Sequence, residues 1–212
     1  MRPLVADIDL DALRHNYQLA CRCAPKSRSV AVIKADAYGH GALACAQALE
    51  RDAPAFAVAC IEEAITLRQG GVTTPIVLLE GIFSADELAL VDVHGFWIAV
   101  HSQWQIDALL ASQSIPVWLK VDSGMHRLGF AIEEAAAIWR KLSAAPNVTA
   151  LHLMSHFATA DLQDSRYFNQ QMARLQGLAN ELDAPLCLAN SPATLAWPVA
   201  HGDWNRPGVM LY

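Results

Sequence analysis

The stretch Val30-Ala-Val-Ile-Lys34-Ala-Asp-Ala-Tyr38-Gly39-His-Gly41 decides how the rest of the chain is interpreted. Its first four residues form an apolar run typical of a buried strand, and a single lysine follows them. Desolvation there can lower the pKa of Lys34 far enough for the amine to attack a carbonyl and form a Schiff base. The Tyr38 hydroxyl and the bare N–H groups of Gly39 and Gly41 come next, where a helix begins, as a phosphate site requires. A lysine beside an anion site suggests pyridoxal phosphate (PLP). The alternative is a surface lysine before an ordinary turn.

Length and composition indicate one domain of a soluble protein. The chain has 212 residues, of which 54% are hydrophobic, enough for a sizeable core. No apolar run reaches the roughly 18 residues that a membrane-spanning helix needs, and the N-terminus has no apolar signal segment, so we expect a cytoplasmic protein. The net charge of -6, without a basic run, makes nucleic acid an improbable partner.

The cysteines predict neither disulfides nor a metal site. They are five in number, hence odd, and they are scattered along the chain. Cys21 and Cys23 are close in sequence, but no Cys/His cluster has zinc-finger spacing. Two thiols on one helix are therefore the simpler interpretation.

Strands and helices alternate along the chain. Residues 5–10 alternate apolar and acidic side chains and predict a short strand, followed by a helix over 12–23 that Asp11 caps. Eight buried strands then follow, at residues 30–34, 55–60, 75–80, 97–100, 117–121, 148–155, 186–189 and 204–212. The helices between them are predicted at 42–50, 62–69, after a Ser84 cap, and at 103–111, 132–144, 165–182 and 194–197.

Eight buried strands joined by helices at crossover intervals predict an α/β fold, a (β/α)8 TIM barrel over residues 1–212. The last strand is the final predicted element, so the barrel lacks its last outer helix. A doubly wound open sheet is the alternative, which the absence of a Gly-x-Gly-x-x-Gly turn after the first strand disfavours.

A barrel of this kind builds its site from the C-terminal ends of its strands. The polar residues predicted there are Lys34, Lys120, Asp122, His156, Asn190 and Ser191, with Arg206 and Gly208 in the eighth strand. The loops after strands seven and eight are where such barrels commonly bind phosphate. Individually, Asn190-Ser-Pro could be a helix cap and Arg206 could pair with an acidic neighbour.

At this point the chain shows a family resemblance. Residues 32–41 resemble the PLP-lysine motif of bacterial alanine racemase, and the opening Asp7-Ile-Asp-Leu-Asp-Ala-Leu-Arg-His-Asn-Tyr17 resembles the start of that family. Four further blocks agree in order and spacing: Lys120-Val-Asp-Ser-Gly-Met-His-Arg127-Leu-Gly-Phe130, Ser155-His156-Phe-Ala-Thr-Ala-Asp161, Ala189-Asn190-Ser191 and Arg206-Pro-Gly208-Val209-Met-Leu-Tyr212.

The resemblance implies a PLP-dependent racemase that interconverts L- and D-alanine, for peptidoglycan or for alanine catabolism. It implies that Lys34 bonds to PLP and is the base that handles the α-proton of D-alanine. The phosphate would be held by Tyr38, Ser191 and the N–H groups of Gly208 and Val209, with Asn190 also at the cofactor.

It further implies that Arg206 donates to the pyridine nitrogen and that His156 orients Arg206. A cation there disfavours ring protonation, so side reactions such as transamination should be suppressed. Arg127 would neighbour the PLP phenolic oxygen and the substrate carboxylate. Lys120 matches a position that is often carbamylated, and its carbamate would orient Arg127.

Family members carry a β-rich C-terminal domain after the barrel, whereas this sequence ends at Tyr212. That domain supplies a second catalytic base, a tyrosine contributed across a head-to-tail homodimer, and in the family residues 5–10 pack with it. We therefore expect a domain or a truncated product that binds PLP weakly and racemises poorly. The alternatives are a single-domain PLP-carrier protein, or a decarboxylase or racemase for another amino acid such as serine, lysine or arginine.

Overall fold

The computed structural model describes residues 4–112, 114–163 and 165–212. Its strands are β1 (Arg28–Ser29), β2 (Ala31–Val32), β3 (Phe56–Val58), β4 (Ile76–Leu78), β5 (Trp97–Val100), β6 (Ile115–Asp122), β7 (Phe130–Ala131), β8 (Val148–Met154), β9 (Leu186–Cys187) and β10 (Trp204–Asn205). Its α-helices are α1 (Leu10–Cys23), α2 (Lys34–Gly39), α3 (Ala42–Leu49), α4 (Ile61–Gln69), α5 (Glu87–His94), α6 (Gln103–Leu110), α7 (Ile132–Ser143), α8 (Arg166–Leu182) and α9 (Ser191–Ala196).

The strands form a parallel sheet that curves into a nearly closed barrel. Its order is β1-β10-β9-β8-β6-β5-β4-β3-β2, and β7 pairs with β6. The two edges of the sheet meet at Val30 and Ala31. The N–H of Val30 donates to the carbonyl of Asn205 (2.8 Å), whereas the N–H of Ala31 donates to the carbonyl of Ala55 (3.1 Å). The predicted (β/α)8 barrel is confirmed, and the open doubly wound sheet is wrong.

Side chains alternate between two apolar layers, as the pleat of a strand requires. Val30 and Val32 point into the barrel, where Trp118 and Trp204 fill the interior. Ala31 and Ile33 point outward, into the layer between the strands and the helices. Continuous apolar runs are typical of parallel strands that are buried on both faces, which is why the sequence located them well.

The N-terminal prediction was wrong. Residues 4–9 form no strand, and the side chain of Leu4 is fully exposed. The first helix begins at Leu10, and its cap is Asp9, not Asp11. Asp9 has extended backbone angles, and its carboxylate accepts the N–H groups of Asp11 and Ala12 at 3.0 and 2.9 Å, which satisfies donors that a helix start leaves free.

Three further boundaries differ from the prediction. Ser84 does not cap α5, which begins after Asp86 without a side-chain cap. Helix α9 begins at Ser191, because the Asn190 side chain accepts the N–H of Ala193 at 3.2 Å. The eighth strand stops at Asn205, since Pro207 lacks an N–H for the ladder, and residues 209–211 form a 3-10 turn.

Among the residues that the structure describes, no helix is both long and apolar enough to cross a lipid bilayer.

Candidate active site

A cavity of about 630 Å³ opens at the C-terminal ends of the strands. The predicted site residues that line it are Lys34, Tyr38, Lys120, Arg127, His156, Asn190, Ser191, Arg206, Gly208 and Val209. Asp122 is not among its lining residues. Its carboxylate instead accepts the N–H groups of Gly124 (2.8 Å) and His126 (3.0 Å) and so fixes the turn after β6.

Lys34 lies two residues after the end of β2 (Ala31–Val32) and begins α2, which is left-handed. Four residues that are not glycine, Ala35 to Tyr38, have φ between 51° and 54°. A left-handed conformation costs roughly 1–2 kcal/mol per such residue, so this turn persists only because its surroundings hold it. It places Lys34 and Tyr38 on the same cavity.

Carboxylates hold the turn at both ends. Glu63 accepts the N–H of Ala35 at 2.8 Å, and Asp36 accepts the N–H of Ala42 at 2.7 Å. The N–H of Gly41 donates to the Asp36 carbonyl at 2.9 Å, and neither Gly39 nor Gly41 lines the cavity. The prediction that these two glycines offer N–H groups to a phosphate is therefore wrong. Their φ values of 87° and 88° show that they serve the bend of the chain.

A cradle of polar groups lies on the other wall, between β10 and α9. The Ser191 hydroxyl is buried and accepts the N–H groups of Gly208 (2.9 Å) and Met210 (3.2 Å). A Cβ atom at Gly208 would lie 2.7 Å from the Tyr38 hydroxyl oxygen, so the phenol approaches the backbone closely there. Tyr38, Ser191 and the chain at Gly208 thus bring hydroxyls and N–H groups together.

Arg206 is buried beside this cradle and is held by main-chain oxygens. Its guanidinium donates to the carbonyls of Cys187 (2.5 Å) and Ser155 (2.6 Å). The ring of His156 instead meets the Asn190 side chain, with 3.4 Å between the two nitrogens. Among the described residues, the hydrogen bonds that fix Arg206 thus come from Cys187 and Ser155. The orientation of Arg206 by His156 stays a prediction.

The cavity is electropositive. Burial, reinforced by Arg206 and then Arg127, lowers the pKa of Lys120 to about 7. Burial and the positive charges of Arg206 and Lys120 lower the pKa of His156 to about 3, so this imidazole is neutral near pH 7. Four basic side chains line the cavity against two carboxylates, those of Glu80 and Asp161. An anionic ligand fits this balance of charge.

Arg127 is exposed, and side chains of α8 donate hydrogen bonds to the main chain of the loop that carries it. The Tyr167 hydroxyl donates to the Gly124 carbonyl, and Arg174 donates to the Ser123 carbonyl at 3.2 Å. Gln171, which is 1% exposed, donates to the Ser123 hydroxyl at 3.0 Å and to the His156 carbonyl at 3.1 Å. Helix α8 therefore connects the loop that bears Arg127 with the strand end that bears His156.

Two positioning residues were missed from the sequence. Gln171 had a recognisable signal, because it lies on the apolar face of α8 with Phe168, Met172 and Leu175, and a buried amide needs partners. Glu63 had none, since an acidic residue in the first turn of a helix is ordinary.

The residues present fit PLP, which combines an aldehyde with a phosphate. The amine of Lys34 and the hydroxyl and N–H groups around Ser191 line one cavity, and several cations face its interior. An aldehyde needs an amine and a phosphate needs hydrogen-bond donors, and this cavity provides both.

Residues 8–212 match the family model of the alanine racemase N-terminal domain. The alanine racemase of Chromohalobacter salexigens is 69% identical, and a catabolic alanine racemase of Pseudomonas aeruginosa is 51% identical, over all of this chain. These alignments cover 59% and 60% of the two relatives, so the chain spans about three-fifths of their length.

Solved structures agree. A biosynthetic alanine racemase from Pseudomonas aeruginosa superposes with a TM-score of 0.95 at 48% identity, covering 100% of this chain and 60% of that one. An alanine racemase from Bartonella henselae with covalently bound pyridoxal phosphate gives 0.88 at 27% identity, covering 97% of this chain and 62% of that one.

Proposed function

The chain belongs to the alanine racemase family, and from this premise we propose that it is the PLP-binding barrel of an enzyme that interconverts L- and D-alanine. The observation that carries the proposal is the convergence of Lys34 with the Ser191 and Gly208 cradle on one electropositive cavity. That relatives at 69% and 51% identity are named alanine racemases favours alanine over other amino acids as the substrate.

The cofactor contacts follow from this arrangement. When bound, PLP withdraws electrons from the α-carbon of the amino acid and so makes its α-proton acidic. We assign two roles to the amine of Lys34. It would attach PLP covalently, and it would be the base that handles the α-proton of D-alanine. The phosphate would be bound by Tyr38, Ser191 and the N–H groups of Gly208 and Val209, since these line the same cavity as the lysine. The N–H of Gly208 would exchange its bond to Ser191 for one to the phosphate.

Arg206 is proposed to face the pyridine nitrogen. Its guanidinium is already fixed by the carbonyls of Cys187 and Ser155, so little conformational entropy is lost when a remaining N–H donates to a ligand. His156 stays neutral beside it, with Asn190 as its neighbour, and adds no further positive charge. A permanent cation at the ring nitrogen opposes ring protonation, which favours racemisation over side reactions.

Lys120 and Arg127 are proposed to act together on the substrate carboxylate. With a pKa of about 7, a large share of Lys120 is an unprotonated amine that can attack carbon dioxide. The new N–C bond gives a carbamate, and the nitrogen releases one proton to solvent. A buried cation thereby becomes an anion, which would orient Arg127 and reduce the repulsion that Arg206 and Arg127 now exert on Lys120.

Racemisation also needs a proton donor on the face of the substrate opposite Lys34. We propose that it comes from a second domain and a second protomer, because the relatives are longer than this chain and the family resemblance implies a homodimer. The barrel described here would then supply the cofactor site and one of the two bases.

The test is hydrogen exchange at the substrate. The chain is incubated with PLP in deuterium oxide, with D-alanine or L-alanine, and deuterium at the α-carbon is measured by NMR. We expect exchange in D-alanine that is lost in Lys34→Ala and kept in the control Lys26→Ala, whose lysine does not line the cavity. Equal exchange of both enantiomers by Lys34→Ala would contradict the proposal.

A further inference from the structure

Glu63 makes two hydrogen bonds, one of them to the residue that follows the proposed cofactor lysine. One carboxylate oxygen accepts the N–H of Ala35, and the other accepts the N–H of Ala59, each at 2.8 Å. Ala35 follows Lys34 directly, and Ala59 follows β3. One side chain in the first turn of α4 therefore joins the ends of two neighbouring strands.

Hydrogen bonds tie the main chain on both sides of Lys34 to the neighbouring segment around β3, and Glu63 supplies the one that follows the lysine. Before the lysine, the N–H of Ile33 donates to the carbonyl of Ala57 at 2.9 Å, in the manner of a sheet. After it, the sheet pairing has ended and the chain enters the left-handed turn at Ala35 (φ 52°). Glu63 provides the acceptor at the residue where the sheet no longer does.

A carboxylate is a favourable acceptor for the N–H of Ala35, where the left-handed turn begins. The turn holds non-glycine residues in a conformation that they rarely adopt, and a hydrogen bond to a carboxylate is stronger than one to a neutral group.

The cradle around Ser191 has its own hydrogen bonds to Gly208 and Met210, which do not involve Glu63. Tyr38 lies at the far end of the turn, and its position has supports besides Glu63. The Asp36 carboxylate accepts the N–H of Ala42 there, and the Tyr38 ring packs on Tyr212.

We propose that Glu63 is a positioning residue that aims the amine of Lys34 at the cofactor aldehyde, without taking part in phosphate binding. The inference rests on the proposed function and deepens it. It separates the site into two parts that can be measured independently: a lysine arm set by Glu63 and an anion cradle set by Ser191.

The test compares Glu63→Gln with Glu62→Gln as the matched control, because Glu62 is the exposed neighbour in the same turn. The amide of Glu63→Gln keeps the shape of the side chain but points an N–H donor at one of the two backbone donors. Two ligands are used with each protein. PLP reports bond formation at Lys34 by rapid-mixing absorbance, and pyridoxine phosphate, which lacks the aldehyde, reports the cradle alone.

For Glu63→Gln we expect Schiff-base formation to slow by about tenfold or more, the effect of losing a hydrogen bond to a charged group, with pyridoxine phosphate affinity changed by less than about twofold. Glu62→Gln should behave as the wild type. Melting temperatures identify loss of folding, and Glu63→Asp, which is too short to reach both N–H groups, serves as a second variant.

Three results would each overturn the role of Glu63 or the proposed function, and the measurements distinguish them. An unchanged rate in both Glu63 variants overturns the inference, and so does an equal loss for PLP and pyridoxine phosphate, which would mean that Glu63 supports the whole site. A wild-type protein that forms no bond between PLP and Lys34 overturns the proposed function together with the inference.

Discussion

The backbone N–H of Gly208 donates to the hydroxyl oxygen of Ser191 over 2.9 Å, and this contact ties the loop after β10 to the first turn of α9. The same oxygen accepts the N–H of Met210. One buried hydroxyl thus satisfies two backbone donors while its own proton is available to a ligand.

Ser191→Ala should therefore weaken both the fold and the site. One buried and one part-buried N–H group lose their acceptor, and we expect the free energy of unfolding to fall by about 1–3 kcal/mol. Affinity for PLP should fall as well. Chemical denaturation and a PLP titration measure the two effects, and Ser143→Ala, at an exposed position, is the control. Unchanged stability in Ser191→Ala would contradict this account of the cradle.

Gly208→Ala tests the close approach of Tyr38. The added Cβ would lie 2.7 Å from the phenol oxygen and 3.3 Å from the Val32 side chain, so the phenol must move out of the cradle. We expect PLP to bind about tenfold more weakly or worse, equivalent to losing one good hydrogen bond. Gly177→Ala in α8 is the control, because nothing lies within 4 Å of its new Cβ. That change should raise stability by roughly 0.5–1 kcal/mol.

The lowered pKa of Lys120 predicts a pH dependence of stability. The folded protein loses this proton near pH 7, whereas the unfolded chain keeps it to about pH 10. Between these pH values the unfolded state binds more protons than the folded state. The contribution of Lys120 to the free energy of unfolding therefore rises with pH. Below about pH 7 the full penalty of the buried cation applies.

Denaturation curves of the wild type and Lys120→Met, taken across this range in carbonate-free buffer, measure the effect. The difference in free energy of unfolding between the wild type and Lys120→Met should narrow as the pH rises and the lysine becomes neutral. A constant difference would show that Lys120 titrates normally. Added isotopically labelled bicarbonate should give a carbamate signal by NMR in the wild type and none in Lys120→Met.

Gln171→Met tests the connection between α8 and the site. The variant keeps the length of the side chain but removes the hydrogen bonds of Gln171 to the His156 carbonyl, the Ala158 N–H and the Ser123 hydroxyl. The Ser123 hydroxyl keeps its contact with the Ser155 hydroxyl. We expect the free energy of unfolding to drop by about 1–3 kcal/mol. Affinity for D-alanine in the deuterium-exchange assay should also fall, since the Arg127 loop loses a support. The adjacent exposed Gln170→Met should stay within about 0.5 kcal/mol of the wild type.

The strands were predictable from the sequence because buried parallel strands are continuous apolar runs, and topology then brings their C-terminal ends together. That reasoning placed Lys34, His156 and Arg206 on one cavity, as the structure confirms. Their chemical roles stay predictions that the experiments above address.

Local geometry was less predictable. The left-handed turn after Lys34 violates the backbone preference of its own residues, so no propensity could indicate it. The strand expected at residues 5–10 has no partner strand among the residues that the structure describes, and Asp9 favours a helix start instead. Glu63 and Cys187 act through contacts between segments distant in sequence, which neither spacing nor periodicity reveals.

The most direct test of the central claim is to identify which lysine bonds to PLP. Lys34 and Lys120 line the same cavity, and Lys120 has the lowered pKa, but it is only 8% exposed and faces Arg206 and Arg127. After PLP addition and borohydride reduction, peptide mapping should find the adduct on Lys34, persisting in Lys120→Met and absent from Lys34→Ala. An adduct on Lys120, or undiminished labelling of Lys34→Ala, would contradict the account.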